Sequence, residues 1–137
     1  MDTIVIGYDD TPAARRALER AATLAKALGS KLVVTSVAPV VASAARSAGP
    51  IDPTDTPADH VAELKHAREY LSEQGLDAEY VPAVGHPADT IAEVAREQRA
   101  DLVVVGTREL GHIQRLLGQS VSEAVAHKVE CDLLIVH

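Results

Sequence analysis

Five short runs of apolar, largely β-branched residues recur along the chain: Thr3 to Tyr8, Lys31 to Val37, Ala78 to Val84, Asp101 to Gly106 and Asp132 to Val136. Runs of this length and composition read as strands. In IVI, LVV, LVVV and LLIV the apolar residues are consecutive instead of alternating with polar ones, the mark of strands covered on both faces. The expected core is a parallel sheet with helices on either side.

The segments between these runs switch to helical spacing. In TPAARRALERAATLAKALG, Thr11 is placed as an N-cap, Pro12 at the first helical position and Gly29 at the exit. Ala14, Ala17, Leu18, Ala21, Leu24, Ala25 and Leu28 form one apolar stripe there, while Arg15, Arg16, Glu19, Arg20 and Lys26 mostly take the other side. A second helix is expected from Ala58 to Gln74, stopped by Gly75, with Val61, Leu64, Ala67 and Leu71 inward. A third spans Pro87 to Arg99 with Ile91, Val94 and Ala95 inward, and a last one begins near Ser120 with Val121, Ala124 and Val125. Strict alternation of strand and helix predicts one α/β domain over residues 1–137, an open five-stranded parallel sheet with right-handed crossovers and helices on both faces. The usual strand order for this alternation is 3-2-1-4-5. One connection, Ala38 to Pro57, is far longer than the roughly 4–6 residues of a typical link. It reads either as a mobile surface loop or as a lid over a ligand at the strand ends.

Composition narrows the function. The chain has 137 residues, 47% of them apolar, with no Phe, no Trp and only Tyr8, Tyr70 and Tyr80 as aromatics. An aromatic platform for single-stranded nucleic acid is therefore missing. With 13 Lys and Arg against 20 Asp and Glu, the net charge of −7 opposes the counterion-release term that drives non-specific DNA binding. No apolar run approaches the roughly 20 residues of a membrane helix, and MDTIVIGYDD has no basic stretch ahead of its apolar run, so it does not read as a secretory signal. Cys131 is alone, which fits a reducing compartment, and a cytoplasmic protein is expected. The six histidines lack metal-ligand spacing, and neither a nucleophile elbow nor a P-loop is present. No residue stands out as nucleophile or base, so the expected function is not enzymatic.

In an open α/β sheet the ligand cleft lies beyond the carboxyl ends of the strands where the order reverses, here between strands 1 and 4. Strand 1 finishes in Gly7-Tyr8-Asp9-Asp10-Thr11 and strand 4 in Gly106-Thr107-Arg108-Glu109-Leu110-Gly111. Asp9 reads either as an acceptor for a ribose diol or as an acid placed at a helix N-terminus by the dipole. Ser120 and Glu123 have capping-box spacing. That helix start suits a phosphate, with Gly106, Gly111 and Gly118 allowing close backbone approach and Arg108 and Arg115 adding charge; a plain capped helix beside a solvated loop is the other reading.

Along its whole length the chain resembles the universal stress protein family. The resemblance is carried by IVIGYDDTPAARRALERAATLA, LVVTSV, VPAVGHPADTIAEVAREQRADLVVVGTR and RLLGQSVSEAVAHKVECDLLIV. It implies a Rossmann-like sandwich of the adenine nucleotide alpha hydrolase-like kind, a homodimer built through the last strand, Asp132 to Val136, and a role in stress adaptation. Many members bind ATP through a motif that falls here on Gly106, Glu109, Gln119 and Ser120, so two of its three glycines are replaced, and Gly118 sits one residue early. The resemblance further implies Asp9 at the ribose, the backbone of Val37 at the adenine, and Gly106, Ser120, Val121 and Ser122 at the phosphates. The expectation is an eroded nucleotide site in a regulatory or protective module, with ATP binding weak or absent and AMP or another adenosine compound as candidate ligand. The competing expectation is a true ATP- or AMP-binding member using the Gly106 to Ser122 loop. A nucleotide-hydrolysing enzyme is a third, opposed by the lack of a metal-binding carboxylate pair.

Overall fold

The computed structural model describes residues 1–38, 57–107 and 121–137. Five strands and four helices alternate among them: β1 (Thr3–Gly7), α1 (Pro12–Leu28), β2 (Lys31–Ala38), α2 (Pro57–Glu73), β3 (Ala78–Val84), α3 (Pro87–Glu97), β4 (Leu102–Gly106), α4 (Val121–Lys128) and β5 (Asp132–Val136). The strands form one sheet in the order β3-β2-β1-β4-β5. Every neighbouring pair is parallel, with Ile4 of β1 opposite both Leu32 and Leu102. The α/β architecture and its order are those expected from the alternation.

Each central strand buries both faces. Ile4 and Ile6 point with Leu32, Val34 and Val104 toward α1 and α2, while Val5, Val33, Val103 and Val105 point toward α3 and α4. Burying a side chain of this size contributes about 1.5–3 kcal/mol, so two layers of aliphatic side chains replace the missing aromatics.

Helix α1 shows how local sequence sets these layers. The Thr11 hydroxyl accepts from the Ala14 amide at 3.2 Å, Pro12 opens the helix, and Gly29 closes it in the left-handed region at φ 65° with its N–H donated to the Ala25 carbonyl. Small residues, Ala13, Ala14, Ala17, Ala21, Ala22 and Ala25, lie against the sheet with Leu18, and this lets the helix backbone come close. Leu28, expected inward, is 51% exposed. It is the last helical residue, beside the reversal at Gly29, and projects beyond the buried stripe. In α2, Leu64, Ala67 and Leu71 are buried as expected, as are Ile91, Val94 and Ala95 of α3 and Val125 of α4. The side chains of Val61 and Val121 lie outside the described residues, as does the 39–56 connection.

Of the strands expected to be covered on both faces, β5 departs from that expectation because it is a sheet edge, and β3 is the other edge. In β3 exposure is spread along the strand, and Val84 is 64% exposed. In β5, Leu133, Leu134 and Ile135 are all half-buried although the run is entirely aliphatic. The edges also differ in chemistry. Within β3 stands Pro82, which has no ladder N–H to offer, with Glu79 ion-paired to Lys31 at 2.9 Å and Arg68 stacked over Tyr80 at 4.5 Å from the ring centre. Proline and charge blunt an edge against further pairing; β5 carries neither along Leu133 to Val136.

Candidate functional site

The helices α1 and α2 cover one face and α3 and α4 the other, so the winding reverses between β1 and β4. At that point the two strand ends diverge above a cavity of about 50 Å³. Gly7, Asp9, Val37 and Gly106 line it, along with Thr35, Pro87 and Ile91. Complete ligand pockets run to roughly 300–1,000 Å³, so the described walls by themselves enclose far less than a ligand pocket.

Of the ten residues expected at a nucleotide, Asp9, Val37 and Gly106 are brought together here. Val121 and Ser122 are the first residues of α4. Arg108, Glu109, Gly118, Gln119 and Ser120 lie outside the described residues, as do Gly111 and Arg115.

Asp9 stands between the start of α1 and the cleft. Its Oδ1 accepts from the Thr11 amide at 3.2 Å and the Thr11 hydroxyl at 2.6 Å, so it braces the start of α1 as a helix-terminal acid does. The same residue lines the cleft. The carboxylate is thus held in place by the helix cap while bordering the cavity.

Gly106 has a structural duty that the sequence reading did not anticipate. A Cβ at this position would lie 2.5 Å from the carbonyl carbon and oxygen of Ala13 and 2.8 Å from the Ala14 nitrogen. The missing side chain therefore admits the first turn of α1 against the end of β4, and places the N-terminus of that helix over the cleft.

Sequence reasoning missed the network directly behind Asp9. The Tyr8 hydroxyl donates to Asp10 Oδ1 at 2.7 Å, and Arg15 Nε donates to the same oxygen at 3.0 Å. Burial, with the neighbouring Asp10 carboxylate adding to it, pushes the Tyr8 hydroxyl well above its ordinary value. Burial alone would raise the Asp10 carboxyl, but hydrogen bonds from Arg15 and Tyr8 outweigh it and hold the group below its ordinary value. Asp10 has φ 59°, in the left-handed region. Nothing in the string YDDTPAAR marks that conformation; a Tyr, Asp and Arg clustered at a strand-to-helix turn is the only hint.

A larger cavity of about 490 Å³ lies between α3 and the approach to β5, bordered by Arg96, Arg99, Lys128 and Cys131. Its walls run from Asp89 in the first turn of α3 to Ala100 ahead of β4 and Cys131 ahead of β5, and two of its cations are matched within the protein, Lys128 with Asp89 at 2.6 Å and Arg96 with Glu93 at 3.8 Å. Burial pushes the Cys131 thiol up, away from a reactive thiolate. The smaller cleft is the one that stands where the topology of an open α/β sheet places a ligand. Among the described residues no group of three or more His, Cys, Asp or Glu is placed to hold a metal ion, and no helix is long and apolar enough to cross a membrane.

The model of the Universal stress protein family matches residues 1–137. A universal stress protein of Mycobacterium tuberculosis strain H37Rv is 36% identical over 141 residues, covering 98% of this chain and 95% of the relative. Among solved structures, a universal stress protein in complex with cAMP has a TM-score of 0.77 at 31% identity, covering 99% of this chain and 97% of the other. A universal stress protein family protein from Arabidopsis thaliana with AMP bound, at 18% identity and a TM-score of 0.72 over 99% of this chain and 91% of the other, shares the fold.

Proposed function

Because this chain belongs to the universal stress protein family, we propose that it is a cytoplasmic regulatory or protective module, not an enzyme, that takes an adenosine monophosphate in the cleft between β1 and β4 and binds ATP weakly or not at all. The single domain spans residues 1–137 and pairs with a second copy through β5. One observation carries the ligand reading: Asp9, Val37 and Gly106 meet at the sheet's switch point; that a relative 31% identical over nearly the whole chain is solved with cAMP supports it.

In this reading Asp9 meets the ribose, the Val37 backbone and aliphatic neighbours hold the adenine, and the segment from Gly106 through Ser120 and the first residues of α4, Val121 and Ser122, receives the phosphate. Arg108 adds positive charge. The family's triphosphate motif falls on Glu109 and Gln119 in place of glycines, with Gly118 one residue out of step. A carboxylate about 5 Å from a phosphate charge costs about 3 kcal/mol at an effective dielectric near 20, roughly a hundredfold in affinity. A single phosphate ester brings less negative charge toward Glu109 than a triphosphate, so the discrimination falls on ATP.

Titration calorimetry on nucleotide-free protein tests this. The expected result is binding of cAMP or AMP in the micromolar range with ATP weaker by about a hundredfold, and a gain in ATP affinity in the double variant Glu109→Gly, Gln119→Gly. ATP binding as tight as that of the monophosphates would overturn the eroded-site reading in favour of a full ATP-binding member. Lack of affinity for any of the three would overturn the ligand assignment.

A further inference from the structure

Residues 8–11 alone join the end of β1 to the start of α1, and within that short turn two adjacent carboxylates do different jobs. Asp9 borders the cleft, with Thr11 holding its Oδ1. Asp10 is turned to the tyrosine that packs into the α1 and α2 core, and receives both the Tyr8 hydroxyl and Arg15 Nε on one oxygen. The φ of 59° at Asp10 is what separates them. A residue with a Cβ pays on the order of 1 kcal/mol to enter the left-handed region, whereas glycine enters freely. A side chain is present there nonetheless, and it makes two hydrogen bonds, one of them to a hydroxyl on a residue only 4% exposed.

We infer that Tyr8, Asp10 and Arg15 form a latch that holds residue 10 in the left-handed conformation and so aims the Asp9 carboxylate at the ribose of a bound adenosine nucleotide. These three are positioning residues: they act on the ligand through Asp9. The inference rests on the adenosine reading of the cleft. With the latch intact, the turn is set before the ligand arrives. Without it, residues 9 and 10 sample other conformations, and only the fraction with Asp9 correctly aimed binds.

The test is a double-mutant cycle read by calorimetric affinity for cAMP and AMP, with the Tm of each protein measured alongside. Tyr8→Phe removes only the hydroxyl, and Asp10→Gly frees the turn while allowing the same φ; each is expected to weaken binding about fivefold at temperatures well below Tm. Asp10→Asn keeps an acceptor for Tyr8 and Arg15 and is expected to stay within about twofold of the parent. In an Asp9→Ala background, Tyr8→Phe and Asp10→Gly are expected to have no further effect, because the group they position is gone. Parent-like affinity of Tyr8→Phe, equal losses with and without Asp9, or an Asp9→Ala protein that binds as tightly as the parent would each overturn the latch while leaving the adenosine site standing. A parent protein that binds neither cAMP nor AMP would overturn both.

Discussion

Single positions explain why the cleft has its shape. At Gly106 the atoms that a Cβ would strike belong to the backbone of α1 at Ala13 and Ala14, and a helix backbone cannot rotate aside. Gly7 faces a softer neighbour, the tip of Ile91 at 2.8 Å. Gly106→Ala is therefore expected to destabilise by about 1–3 kcal/mol and Gly7→Ala by less, which thermal unfolding followed by circular dichroism would show as a larger fall in Tm for the first variant. Equal Tm values would refute the close approach of α1 to β4. Some residue-scale structure was legible beforehand: Thr11, Pro12 and Gly29 announced the ends of α1 because their chemistry is local. The left-handed turn at Asp10 was not legible, since it depends on partners two and five residues away that meet only once β1 and α1 have docked.

At the scale of elements, a carboxylate ties the start of β1 to the start of β4. Asp101 Oδ2 accepts from the Asp2 amide at 2.7 Å and the Thr3 amide at 3.1 Å, and these two bonds hold its carboxyl below the ordinary value of 3.8. A folded-state value below the unfolded one means stabilisation that is full above the unfolded value and fades as pH falls through the folded one. Asp101→Asn is expected to be less stable than the parent at pH 7, with the gap closing as pH drops below 3.8. Denaturant unfolding at a series of pH values would measure it, and a gap that stays constant with pH would contradict the role of the charge. The presence and type of each element were readable in the sequence, the helices from their 3.6-residue repeat and the strands from short unbroken aliphatic runs, because both reflect which side chains face a core. What periodicity could not separate was a central strand from an edge strand. The aliphatic run in β5 looks like those of β1 and β4, yet its middle residues are only half-buried.

For the whole molecule the contrast between the two edges becomes an argument about assembly. Pro82 and the paired charge of Glu79 guard β3, whereas β5 presents Leu133, Leu134 and Ile135 half-covered. A second copy is the proposed cover. Sedimentation at micromolar concentration is expected to show a dimer that Leu134→Pro converts to monomer. Leu134→Lys, which keeps the backbone ladder to β4, is expected to do the same. A parent protein that sediments as a monomer would exclude pairing through this edge. The sequence by itself determined the alternation of elements, the caps of α1, the two aliphatic layers and the family, because each is written in local spacing or in motifs that run along the chain. Only the tertiary structure decided that Gly106 serves α1 as well as the cleft and that Tyr8 and Arg15 converge on Asp10. Those facts depend on distances between segments that chain order does not specify; they exist once the sheet has brought β1, β4 and α1 to one end of the molecule.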